Sequence, residues 1–270
     1  TDVTIIPDGV LYLLPFGTLI NNSTAKPSWG SLPYLEKSHT LSYDFSLQTM
    51  TQASTYDYSS SYTGFAPRFD NNEKLTYLTG GADVVKQGYN AFGGSTYLAA
   101  DATSNNLRNL GINSKILQLY THAVSSDSSY DASYIYLADK KMYVDEIMTL
   151  PLRTELCLLT ACEVGIGKSY SGEGVTGVAW AFKAAGAQNV VQSLWRINQE
   201  SSATVMNSFF ESLADSDLST KALQIAKLDY LKNEDVSERL KHPYYWAGMS
   251  HYGSGMTSQS GKWSIWQIIL

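Results

Sequence analysis

The stretch Glu155-Leu-Cys-Leu-Leu-Thr-Ala-Cys-Glu-Val-Gly-Ile-Gly167 decides how this chain is read. An apolar run long enough for a buried strand passes directly into a cysteine and then into glycine-bounded backbone. A second segment of the same design lies upstream. Ile116-Leu-Gln-Leu-Tyr-Thr-His-Ala123 delivers a histidine at the end of its apolar run. If the two strands are parallel neighbours, His122 and Cys162 meet at the C-terminal edge of the sheet, where open α/β folds place their sites. A cysteine of ordinary pKa, about 8.5, holds only a few per cent thiolate at neutral pH, and a neighbouring histidine can take the proton. The backbone N–H groups of Ala123 and Cys162 are then candidates to stabilise the oxyanion of a tetrahedral intermediate. Cysteine also serves as a small buried hydrophobe, a role that suits Cys157 between its leucines.

The rest of the chain supports an alternating α/β pattern. Val3 to Ile6 and Val10 to Leu14 are short apolar runs around Pro7-Asp-Gly9, expected as a pair of strands. Residues 21–38 read as loop, and Tyr62 to Phe65 as a strand ended by Pro67. Short helices are expected over 80–91 and 104–110. Beyond the cysteine, Val175, Val178, Ala179 and Phe182 fall on one helical face, with Gly186 as the stop. Val190 to Trp195 is the next strand. Helices follow through Val205, Met206, Phe209, Phe210 and Leu213 and over 220–231, and Tyr244 to Met249 is expected as a closing strand. Strands alternating with helices imply a mostly parallel central sheet covered by helices on both faces.

The chain has 270 residues, of which 44% are hydrophobic, and this is enough for a large core. Its net charge of −6 and scattered Lys and Arg give no surface for direct nucleic-acid contact. Two cysteines make no disulfide framework and show no zinc spacing, so no metal or cofactor is expected and the natural setting is reducing and cytoplasmic. His39, His242 and His251 read as structural. Glu173, between Gly172 and Gly174, suits either a substrate contact or the start of a helix, whose dipole favours an acid. Trp263 to Leu270 reads as a last strand or the start of a membrane helix.

Pro7-Asp-Gly with Leu14-Pro-Phe16, Thr121-His-Ala123, Leu159-Thr-Ala-Cys-Glu163, Gly172-Glu-Gly174, Ala181-Phe with Ala185-Gly-Ala187, Val191-Gln-Ser-Leu-Trp195 and His242-Pro-Tyr-Tyr-Trp-Ala247 occur in this order. Together they resemble the CHAT domain, a caspase-like peptidase domain of clan CD, over nearly the whole chain. The resemblance implies a caspase-hemoglobinase-like fold spanning 1–270 as a single peptidase domain cut from a longer protein. It implies cysteine endopeptidase activity on a protein or peptide substrate, with His122 as general acid/base and Cys162 as nucleophile. It also implies regulation, by an upstream tetratricopeptide-repeat-like region or an activating protein, and a place in bacterial defence systems. Where the family often has glycine after the histidine, this chain has Ala123. Where many relatives carry an aspartate pair, it has Arg196-Ile-Asn-Gln-Glu200. Arginine-specific relatives place an aspartate two positions before the cysteine, and here Thr160 stands there. Ser193, Trp195, Glu163 and Glu173 are candidates for the substrate pocket. A partner-binding pseudo-peptidase and a thiol acyltransferase are the alternatives.

Overall fold

In β9, Thr154–Thr160, all seven residues are buried, and alternate side chains enter different cores. Cys157 and Leu159 join the apolar cluster on one face of the sheet, and Leu156 and Leu158 the cluster on the other. This is why the run is apolar without alternation: a strand covered on both faces has no solvent side. The computed structural model describes residues 1–21, 28–50, 56–69, 78, 80–124, 133–160, 172–195, 198–216 and 218–255, without the side chains of residues 10, 48 and 172–176.

In chain order the other strands are Asp2–Ile5 (β1), Thr40–Tyr43 (β2), Ser60–Pro67 (β3), Ser95–Ala99 (β4), Ser114–Tyr120 (β5), Ala123–Val124 (β6), Tyr134–Tyr136 (β7), Lys141–Tyr143 (β8), Ala187–Ser193 (β10) and Met249–Tyr252 (β11). The helices are Leu47–Met50 (α1), Gly81–Phe92 (α2), Ser104–Asn106 (α3, continued by a π-helical turn over Leu107–Gly111), Val144–Met148 (α4), Gly172–Ala184 (α5), Gln199–Asp215 (α6) and Ser219–Lys232 (α7). Eight strands form one sheet in the order β1-β2-β11-β10-β9-β5-β3-β4. The block β10-β9-β5-β3-β4 is parallel throughout. The block β1-β2-β11 is parallel within itself and joins the first through the antiparallel pair β10/β11. Residues of α4 and α5 pack in one apolar cluster, and residues of α2, α6 and α7 in the other. The fold is therefore α/β, with a mostly parallel central sheet between two helical layers.

Two expectations are corrected. Val10 to Leu14 is not a strand: Gly9–Leu13 is a 3-10 helix, entered through Gly9 at φ 53°, a left-handed value that glycine reaches without a steric penalty. β1 pairs with β2 instead, Val3 facing Leu41. The closing strand also lies later than expected. Pro243–Tyr245 is a 3-10 turn, capped by His242 Nδ1 accepting from the Tyr244 N–H, and the strand begins only at Met249. Proline fixes the φ that a first helical turn requires, and the aromatic run Tyr244-Tyr-Trp246 had hidden that signal. The stop at Gly186 stands as expected: its φ is 118°, and a Cβ there would lie 2.2 Å from the Leu152 carbonyl oxygen. Trp263 to Leu270 lies outside the described residues.

Candidate active site

β5 and β9 are parallel neighbours, and Tyr120 faces Thr160 across the last rung of their ladder. Polar side chains lock the strands just below that edge. Gln118 Nε2 donates to Thr160 Oγ1 at 3.2 Å, while the Tyr62 hydroxyl lies 2.5 Å from Gln118 Oε1 and 2.9 Å from the Val85 carbonyl oxygen. All three side chains are buried. Hydrogen-bonded groups in such surroundings are costly to break, since each loss strands a partner away from water. The rung that ends β5 and β9 is therefore fixed across β3, β5 and β9.

Beyond Tyr120 the chain passes from the large sheet into the small antiparallel sheet β6-β7-β8. Thr121 Oγ1 donates to the Tyr136 carbonyl at 2.5 Å, and the Tyr136 N–H donates to the His122 carbonyl at 2.9 Å. His122 is thus held by its own backbone at the junction of two sheets. Its side chain is fully buried, with the rings of Phe69 at 5.7 Å and Tyr136 at 6.4 Å from the imidazole centroid. Ala123 faces Ile135 in the β6/β7 ladder. Rungs of an antiparallel pair alternate between bonded and non-bonded. Since the neighbouring His122 rung is bonded, the Ala123 N–H points out of this ladder.

The other predicted positions divide. Cys162 and Glu163 lie outside the described residues, as does the side chain of Glu173 in the first turn of α5. Ser193 ends β10, and its hydroxyl donates to the Trp195 carbonyl, a short local bond that shapes the turn leaving the strand. Trp195 is half-buried; its indole N–H donates to the Tyr244 carbonyl at 2.8 Å, and its ring stacks on Tyr244 at 6.3 Å. The remaining histidines are structural. His39 Nδ1 contacts Ser38 Oγ, His242 caps a turn, and the buried His251 places Nε2 2.8 Å from Ser219 Oγ. Burial, followed by the positive charges of Lys183 and Lys227, holds the His251 pKa down to about 3.

Sequence reasoning missed Phe69 and Tyr136, the rings that enclose His122. The alternation in Tyr134-Ile-Tyr136 was the available signal, because period two marks a strand with one covered face.

The solved structure titled as the arginine-specific cysteine proteinase gingipain R superposes with a TM-score of 0.55 at 7% sequence identity, covering 89% of this chain and 57% of that one. At that identity the likeness concerns the fold, which is caspase-like. Tetratricopeptide repeat protein 28 of Homo sapiens is 30% identical over 124 residues, 46% of this chain but only 5% of that protein's length. Among the described residues no helix is long and apolar enough to cross a membrane. The CHAT domain model matches residues 1–254, so the chain belongs to the CHAT domain family and carries its cysteine-peptidase-like fold.

Proposed function

We propose that this chain is a cysteine endopeptidase domain in which His122 and Cys162 act as a dyad. One observation carries the reading: each residue stands two positions beyond the same rung, Tyr120 facing Thr160, on adjacent parallel strands. His122 takes the thiol proton, and the Cys162 sulfur attacks the substrate carbonyl carbon. The oxyanion accepts from the N–H groups of Ala123 and Cys162, the first of which faces out of its ladder. His122 then gives its proton to the departing amine, the C–N bond breaks, and a water activated by the same imidazole hydrolyses the thioester. Trp195, still half-exposed beyond β10, is assigned to the wall of the substrate pocket, with Ser193 setting its backbone.

The residue before the cut is expected to be uncharged or mixed. Thr160 is buried and its hydroxyl accepts from Gln118, so this position offers no carboxylate to a guanidinium, and an unpaired buried charge costs several kcal/mol. Glu163 or Glu173 would have to supply one. The tetratricopeptide relative supports the further reading that such a domain works under a repeat-containing or separate activating partner, on a protein substrate. The bacterial-defence and cytoplasmic settings follow from the family resemblance and the two-cysteine composition.

The test is digestion of a diverse peptide library followed by mass spectrometry. Cys162→Ala should lower turnover by roughly 10⁴–10⁶-fold. His122→Ala should remove cleavage and also slow alkylation of Cys162 by iodoacetamide at neutral pH, because the thiolate fraction falls. Near-normal cleavage by Cys162→Ala would end the assignment, as would alkylation indifferent to His122. Peptides bound but uncut would indicate a partner-binding module, and acyl transfer to an added amine a transferase.

A further inference from the structure

Alternation divides β7 and β8 into two faces. Ile135 and Met142 are buried in the apolar core, so Tyr134, Tyr136, Lys141 and Tyr143 project from the opposite face, where Tyr136 stands across from Lys141 and Tyr134 from Tyr143. His122 meets this face. Its imidazole centroid lies 6.4 Å from that of the Tyr136 ring, with the two planes at 85°. Phe69 completes a three-ring cluster, 5.7 Å from His122 and 5.8 Å from Tyr136.

Tyr136 is itself braced by its neighbours. Its hydroxyl lies 3.3 Å from that of Tyr134, and the two rings meet edge-on with centroids 5.2 Å apart. The Lys141 ammonium sits 4.2 Å from the centroid of the Tyr134 ring and 5.5 Å from that of Tyr136, a cation–π contact that ties both rings to β8. Burial raises the Tyr136 phenol above its usual range, and its hydrogen bond to Tyr134 raises it further, the direction expected where Tyr136 donates and Tyr134 accepts. Cross-strand pairs of this kind support a sheet by themselves. Here they also converge on a ring that touches the imidazole.

The dyad makes a demand that the backbone alone does not meet. The bonds from Thr121 to the Tyr136 carbonyl and from the Tyr136 N–H to the His122 carbonyl fix the peptide at residue 122. Rotation about χ2 still turns an imidazole through a broad range, and each proton transfer needs a ring nitrogen within hydrogen-bond reach of its partner. A ring packed against Tyr136 and Phe69 cannot turn without disturbing both contacts, whichever partner each nitrogen takes. We propose that Tyr136, braced by Tyr134 and Lys141, is a positioning residue that sets the plane of the His122 imidazole for proton transfer from the Cys162 thiol and to the departing amine. This rests on the dyad reading above, and its test separates the two.

Turnover of a peptide found in the library digest and the pH profile of Cys162 alkylation by iodoacetamide would be compared in the wild type, Tyr136→Leu, Tyr136→Phe, Tyr134→Phe and Lys141→Met, with thermal unfolding of each. Tyr136→Leu removes the aromatic wall and should lower kcat by roughly 10–100-fold with KM unchanged. Its alkylation profile should move up toward that of a free thiol, about 8.5. Tyr136→Phe keeps the ring and should retain most of both. Tyr134→Phe removes one hydroxyl and Lys141→Met one charge; each should lower kcat by up to about fivefold, the size of an exposed cation–π contact. A merely structural role would lower the unfolding temperature and leave the alkylation profile of the folded protein in place. Folded Tyr136→Leu with the wild-type kcat and alkylation profile, or with a loss confined to KM, overturns the positioning role and leaves the dyad standing. If that variant does not fold, unchanged kcat in both Tyr134→Phe and Lys141→Met overturns it instead. Alkylation indifferent to His122→Ala ends the dyad, and the positioning role with it.

Discussion

The two blocks of the central sheet are held together by different physics. In β10-β9-β5-β3-β4 the strands are joined by parallel ladders between apolar layers, and the polar side chains that link them, Tyr62-Gln118-Thr160 beneath the candidate site, Thr63 with Ser114, and Asn189 donating to the Glu155 carbonyl, run from strand to neighbouring strand or helix within the block. In β1-β2-β11 the attachment to the helices runs through buried polar contacts. Lys227 Nζ lies 3.2 and 3.3 Å from the two Glu36 oxygens, and Gln224 Nε2 donates to the carbonyls of Glu36 and His39 at 2.6 and 2.7 Å. Thr40 donates to Gln224 Oε1 at 3.0 Å, Lys183 lies 3.7 Å from Asp44, and His251 meets Ser219. Apolar burial is non-directional and tolerates approximate fit, whereas buried charges hold a position only when each partner is present. The reversed block should therefore be the more brittle to single polar substitutions.

Lys227→Ala is the largest effect expected on that side. It leaves the Glu36 carboxylate buried without its cation, and breaking a buried pair from one side costs about 3–5 kcal/mol. Thermal or denaturant unfolding would measure it. Lys227→Ala paired with Glu36→Gln should recover part of the loss, since the charge itself is then gone. A loss under 1 kcal/mol for the single variant would remove the contrast between the blocks.

The same contrast marks what could be read from sequence. β5, β9, β10, α5, α6 and α7 were legible because each is a local apolar run or stripe, and the two strand ends carrying His122 and Cys162 came with them. β2 and β11 were not. Thr40-Leu-Ser-Tyr43 has only four residues, three of them hydroxylic, and it is buried because of partners such as Gln224, 184 positions away. Local periodicity has no access to that distance. Ser95–Ala99 was missed for a related reason: its exposed and half-exposed edge residues show no strong alternation. At the site, Phe69 and Tyr136 reach His122 from two other segments, and only the fold brings those segments together.

His251 gives a smaller effect with a defined sign. Its pKa falls from 6.5 unfolded to about 3 folded, so the unfolded state binds the proton first as pH drops. The stability it supports is complete above about pH 6.5 and is lost progressively as pH falls toward 3. At pH 5 the loss relative to neutral pH should be about 2 kcal/mol from this residue. His251→Gln keeps a polar partner for Ser219 and cannot titrate, so its stability should fall less between pH 7 and 5 than that of the wild type. Parallel pH profiles would indicate that His251 is not held neutral, and the polar block would lose its acid-sensitive member.

The smallest effect belongs to the ion pairs outside both blocks. Arg108 and Lys140 share Glu146 Oε2, and hydrogen bonding from Lys140, ahead of that from Arg108, holds the Glu146 carboxyl below its usual range. That direction invites a claim of stability, but the side chains of Arg108 and Lys140 are 37% and 47% exposed. Water screens such pairs and ordering long side chains opposes them, so exposed bridges contribute roughly 0–1 kcal/mol. Arg108→Ala should therefore cost under about 1 kcal/mol, with Lys140 still able to serve Glu146. The penalty should shrink further in high salt, because exposed charges are screened within about 10 Å at 0.1 M. The buried Lys227 pair should respond far less to salt. Measuring both variants at low and high ionic strength tests the division directly: an Arg108→Ala penalty as large and as salt-insensitive as that of Lys227→Ala would mean that burial does not separate the two classes in this fold.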